Sequence, residues 1–110
     1  MTDINVGGLF KRNRHKTLKE ALSSAYSGDF IHINNRHVTI DYMGKLTKSV
    51  YIKGLGKDET FIMATPHHAG LYFVGNPNVE ISDVTFLVPN QAQALSFTNF
   101  AGTLSLKRVK

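Results

Sequence analysis

The sequence predicts an all-β fold: a right-handed parallel β-helix (β-solenoid) of about four coils, closed at its N-terminal end by one capping α-helix. Three observations predict it. Strand-length stretches punctuated by turn residues fill the chain after Gly28, chemically similar stretches return after 24 or 25 residues, and a single amphipathic helical segment precedes them all.

At 110 residues the chain is one domain, with 42% hydrophobic residues to build one core. Residues 1–28 supply an N-terminal strand and the capping helix, and residues 29–110 supply the coils. No cysteine is present, so packing and hydrogen bonds must hold the fold without disulfides or thiolate metal sites. Asp3, Lys11, Arg12, Arg14 and Lys16 interrupt the first twenty residues, which therefore do not form a secretory signal. With Met1 as the natural start, the expected location is the cytoplasm. The longest apolar run falls far short of the roughly 20 residues of a membrane span, so no membrane role is expected.

The helix is read at Thr17-Leu18-Lys19-Glu20, a capping box in which the Thr17 hydroxyl and the Glu20 carboxylate satisfy free backbone donors. Leu18, Ala21, Leu22 and Ala25 then share one face. Gly28, just past Ser27, is the expected C-terminal stop, giving about ten residues by this spacing. So short a helix is not stable alone and must lie on something apolar.

The strands follow as Phe30–Ile33, Val38–Ile40, Val50–Ile52, Phe61–Met63, Leu71–Phe73, Val79–Ile81, Thr85–Leu87, Leu95–Phe97 and Leu104–Leu106, most of them separated by Gly, Asn, Asp or Pro. Thr60-Phe61-Ile62 returns as Thr85-Phe86-Leu87 after 25 residues, Leu71-Tyr72-Phe73 as Leu95-Ser96-Phe97 after 24, and Val79-Glu80-Ile81 as Leu104-Ser105-Leu106 after 25. Val50-Tyr51-Ile52 precedes Val79 by 29, the surplus falling in the polar loop Gly56-Lys57-Asp58-Glu59. A constant step brings matched strands back to the same side of a coil of three short strands.

Within each strand the two-residue alternation turns Val79, Ile81, Leu95 and Phe97 inward. Stacking then piles Val50, Val79 and Leu104 in one inner column and Ile52, Ile81 and Leu106 in another. Gly75 is expected opposite Asn99, two residue types that tolerate the left-handed backbone of a tight turn.

These stretches resemble the pectin-lyase-like superfamily of right-handed parallel β-helices over roughly residues 16 to 106. Residues 16–22 are similar to its opening helix, residues 50–62 to its early strand, glycine turn and strand, and residues 78–86 to the strand pair of its next coil. Gln91-Ala92-Gln93-Ala94-Leu95 resembles the pectinesterase signature, which implies an oxyanion-stabilising role for Gln91. That family places catalytic aspartates further on, and no Asp or Glu follows Asp83 here, so Gln91 has neither nucleophile nor acid beside it.

Among binding candidates, Tyr51 and Tyr72 alternate with inward residues and face out, where a ring can stack on a sugar or pack on a partner; Glu80 faces out between Val79 and Ile81. Asp41, Asp58, Glu59, Glu80 and Asp83 are the carboxylates that stacking of the coils can bring together on the outer surface. No metal site or cofactor is expected: adjacent His67 and His68 point to opposite sides of an extended segment, and His32 and His37 lack a third ligand. Gly54-Leu55-Gly56 lacks the third glycine and following helix of a dinucleotide site and reads as a turn.

The formal charge of +5 gathers partly at Lys11, Arg12, Arg14, His15 and Lys16 and at Lys107, Arg108 and Lys110. Neither cluster contains an aromatic residue or a recognition motif, which counts against a basic nucleic-acid-binding module. The last strand is the more informative feature, because Leu104, Leu106 and Val109 form an end with no covering element after them. The expectation is a non-catalytic module for binding or assembly. Its partner is a carbohydrate or a protein, a second copy, or further coils of a larger β-helix protein. The alternative is a fragment of a carbohydrate-active enzyme of the pectinesterase or pectate lyase type.

Overall fold

A computed structural model describes residues 3–8, 14–15, 17–40, 45–64, 69–88 and 93–110. Strands β1 (Asp3–Val6) and β2 (Arg14–His15) come first, then helix α1 (Leu18–Ser24). Nine strands follow: β3 (Phe30–Ile33), β4 (His37–Ile40), β5 (Lys45–Leu46), β6 (Tyr51–Lys53), β7 (Phe61–Ala64), β8 (Ala69–Gly75), β9 (Asn78–Leu87), β10 (Gln93–Phe100) and β11 (Thr103–Val109). Every strand pairing among the described residues is parallel. The chain is a parallel β-solenoid of about three turns with one short N-terminal helix; β11 opens a further turn.

Three sheets form its sides. The first runs β2-β1-β3-β6-β9-β11, the second β4-β7-β9 and the third β5-β8-β10. The stretches Val79–Ile81 and Thr85–Leu87, expected as two strands, are one. β9 passes the corner at Asp83, where φ is 59°, and its two halves pair in the first and second sheets. The short strands β2 and β5 carry too few apolar residues to stand out in the sequence.

The expected registers hold in the first and third sheets. Leu104 pairs with Val79 and Leu106 with Ile81, while Leu95 pairs with Leu71. Tyr51 pairs with Glu80 across the predicted 29 residues, with the surplus in the 54–60 loop. That loop folds back on the next turn through the Thr85 hydroxyl, which donates to the Lys57 carbonyl.

The second sheet differs by one residue. Phe61 pairs with Thr85, Ile62 with Phe86 and Met63 with Leu87, a step of 24 and not 25. Likeness of the Thr-Phe-aliphatic triplets suggested the longer step, but the alternation decides. Ile62 is fully buried, so the half-buried Phe86 must stack on it, and Met63 and Leu87 are turned outward. A one-residue slip would exchange these faces. Thr60, two residues before Ile62, is buried as well, and its Oγ1 accepts the Leu55 N–H at 2.8 Å.

Two turn expectations are also corrected. Helix α1 stops at Ser24 after seven residues, and Ala25 is already extended (φ −71°, ψ 148°). The chain is diverted by a turn in which the Tyr26 N–H donates to Asp29 Oδ2 at 2.8 Å and the Asp29 N–H to the Tyr26 carbonyl at 3.1 Å. Gly28 serves that turn with φ 94° and does not end the helix. In the third sheet, Gly75 (φ 86°) pairs with Phe100, and Asn99 (φ 49°) bulges out between Thr98 and Phe100. Both residues are left-handed as expected, but one position out of line.

The Thr17 half of the capping box is as expected, with the Glu20 N–H donating to Thr17 Oγ1 at 3.1 Å. Leu18, Ala21 and Ala25 are fully buried and Leu22 partly so, which lays α1 across the first end of the solenoid against β1, β2, β3 and β4.

Candidate functional site

On the outward side of the first sheet, alternate residues of successive strands line up. Phe30, Tyr51, Glu80 and Ser105 form one outer column, and His32, Lys53, Ser82 and Lys107 form the next. The structure thus sets Tyr51 beside Glu80. Tyr51 is 38% exposed, and its ring stacks on Phe30 at 4.5 Å with planes 14° apart, so one of its faces is already covered. Glu80 receives Lys107 Nζ at 3.0 Å. Tyr72 belongs to the third sheet, away from this pair, and its side chain lies outside the described residues.

The candidates for chemistry do not converge. Gln91, Asp41, His67 and His68 lie outside the described residues. His32 lies 3.1 Å from Asp3 Oδ1 on the first sheet, whereas His37 stacks on Phe61 at 5.3 Å on the second. Among the described residues no group of three or more His, Cys, Asp or Glu is placed to hold a metal. An open cleft between α1 and β4 brings Ser24 Oγ to 3.2 Å from His15 Nε2, but the same hydroxyl reaches the Ala21 carbonyl at 3.2 Å. A serine engaged with its own helix in this way is not an activated nucleophile.

The end reached by β11 is built differently. In the inner column Ile4-Ile31-Ile52-Ile81-Leu106, the first four residues are 5, 0, 1 and 0% exposed and Leu106 is 47% exposed. The same break occurs on all three sides. Phe86 in the second sheet, Leu95 in the third, and Leu104 and Val109 in the first are only partly buried, while the residues they stack on, Ile62, Leu71, Val79 and Val84, are buried. Phe100 completes this apolar layer, its ring edge against Phe73 at 5.7 Å.

Backbone groups are also presented there. Among the described residues, β11 pairs with β9 alone and β10 with β8 alone, so each offers an edge of N–H and C=O groups facing away from the solenoid. The predicted Leu104, Leu106 and Val109 are one side of this surface. The sequence alone does not mark Phe86, Leu95 and Phe100 as part of it. The 24-residue return of Leu95 carried that information, whereas the shifted register hid Phe86.

Charge at this end is held by the turn beneath. Arg108 donates from Nε to Asp83 Oδ1 at 2.5 Å and from Nη2 to Oδ2 at 3.1 Å, a bidentate pair. The Arg108 guanidinium, chiefly by that hydrogen bond, holds the Asp83 carboxyl below the usual range and is itself raised.

Compared with protein-family models, curated proteins and solved structures, the chain matches none.

Proposed function

We propose that this protein is a non-catalytic assembly module: a β-solenoid capped at one end by α1, which docks another layer of β-structure on the other. The observation that carries this reading is the column of four buried isoleucines ending in a half-exposed Leu106. Burial of a whole leucine stabilises by about 1.5–3 kcal/mol, so covering Leu106 alone contributes on the order of 1 kcal/mol, with five further apolar side chains around it. Edges of two sheets add main-chain hydrogen bonds to whatever covers that layer.

The helix laid over the first turn and the strand, Gly54 turn and strand of residues 51–64 support grouping the chain with the pectin-lyase-like right-handed parallel β-helices. Sugar binding at Tyr51 has less support, since Phe30 occupies one ring face.

A dye that fluoresces on apolar surface tests the assembly reading. The folded chain should bind it, and Leu106→Lys should weaken that binding while leaving the circular dichroism unchanged. A folded chain that takes up no dye contradicts the reading.

A further inference from the structure

We propose that the cleft between α1 and β4 binds a planar nitrogen heterocycle, the base of a free nucleoside or nucleotide, stacked on His37. The platform is set by the register of the second sheet. His37 pairs with Phe61 on the outer side of that sheet, and the two rings stack at 5.3 Å with planes 19° apart. The Arg36 guanidinium lies 5.3 Å from the Phe61 centroid and adds a cation–π contact to the same ring. β7 covers His37 on one side only. Among the described residues β4 is the last strand of the second sheet, so the other ring face of the exposed His37 looks along the sheet into the cleft that His37 lines. That cleft measures about 870 Å³, within the roughly 300–1,000 Å³ of small-molecule sites.

Its lining selects the kind of ring. Leu18 and Val38 border the cleft but are only 0 and 6% exposed, which leaves the flanks to polar groups such as Asn35, Thr39, Ser24 and His15. An apolar ring placed there would cover these groups without returning their hydrogen bonds, a cost that a base avoids because its edge carries donors and acceptors. The Asn35 amide and the Thr39 hydroxyl each offer both functions. Ser24 gives its hydroxyl proton to the Ala21 carbonyl, so its Oγ accepts from His15 Nε2, and Nδ1 of the neutral imidazole is left as an acceptor. A sugar shares the hydrogen bonds but lacks the flat face that continues a column of two stacked rings. Bases stack in this way on histidine as on larger aromatic side chains. The site lies at the capped end, away from β11, and does not depend on the assembly reading.

Titration of the full chain with AMP, adenosine and ribose phosphate, followed by proton NMR of the ligands and of the His37 and Phe61 rings, tests this site. AMP and adenosine should bind with their base protons shifted upfield, and ribose phosphate should bind at least about tenfold more weakly. His37→Ala should lose about tenfold in affinity for AMP, whereas His37→Phe, which keeps a flat ring on Phe61, should retain it; circular dichroism establishes that each variant is folded. Absence of binding by AMP and adenosine at millimolar concentration overturns the inference, as does equal binding of ribose phosphate and AMP. Parent-like affinity in a folded His37→Ala chain overturns the stack on His37. Should that variant not fold, the upfield shifts in the parent chain and the ribose phosphate comparison still decide. A single-stranded oligoadenylate that binds far more tightly than AMP, with steep salt dependence, places the base in nucleic acid and overturns the assignment to a free nucleotide.

Discussion

Asp83 and Arg108 occupy the same corner of successive turns, both with left-handed backbone (φ 59° and 52°), and are joined by two hydrogen bonds. This corner is where β9 leaves the first sheet for the second and where β11 repeats the bend one turn later. A backbone requirement and an ion pair thus act at one place.

Because Arg108 depresses the Asp83 carboxyl in the folded state, the pair's contribution to stability is present above the ordinary carboxylate value and is lost as pH falls through the depressed folded value. Asp83→Asn keeps the tolerance for left-handed backbone and removes the charge. It should lower the thermal midpoint at pH 7, with the difference from the parent shrinking in strong acid. Asp83→Ala should cost about 1 kcal/mol more than Asp83→Asn, from backbone strain. Thermal melts of the three proteins across pH decide this.

Gly54 lies against the same corner. A Cβ placed there would meet the Asp83 carbonyl, Val84 Cγ1 at 2.7 Å and Thr60 Cβ at 2.8 Å. Backbone and buried side chains cannot both give way, so Gly54→Ala should destabilise by about 1–3 kcal/mol, measured by denaturant unfolding.

Ile52 and Leu106 share one inner column but differ in burial. Ile52→Ala should cost about 2–5 kcal/mol by loss of contacts and creation of a cavity. Leu106→Ala should cost about 1 kcal/mol or less in the isolated chain. Equal losses in denaturant unfolding would mean that Leu106 is covered.

Much of this architecture is legible in the sequence because a solenoid repeats itself: Leu71 and Leu95, and Val79 and Leu104, match both in chemistry and in spacing. The second sheet departs from the expected step because Thr60-Phe61-Ile62 resembles Thr85-Phe86-Leu87 in letters, while burial of Ile62 requires Phe86 as its partner. The helix ends before the expected stop because Gly28, which has the left-handed backbone of a helix stop, uses it in the Tyr26–Asp29 turn. Of the site, Leu104, Leu106 and Val109 were legible as an uncovered strand. The contributions of Phe86, Leu95 and Phe100 depend on closure of three sides, which no single strand reveals.

Residue-resolved amide hydrogen exchange on the isolated chain tests the open end most directly. The account predicts that residues 104–109 of β11, bonded along one edge, exchange much faster than residues 51–53 of β6, which lie between two strands. Protection of β11 equal to that of β6 in a monomer would show an end already closed and would contradict it.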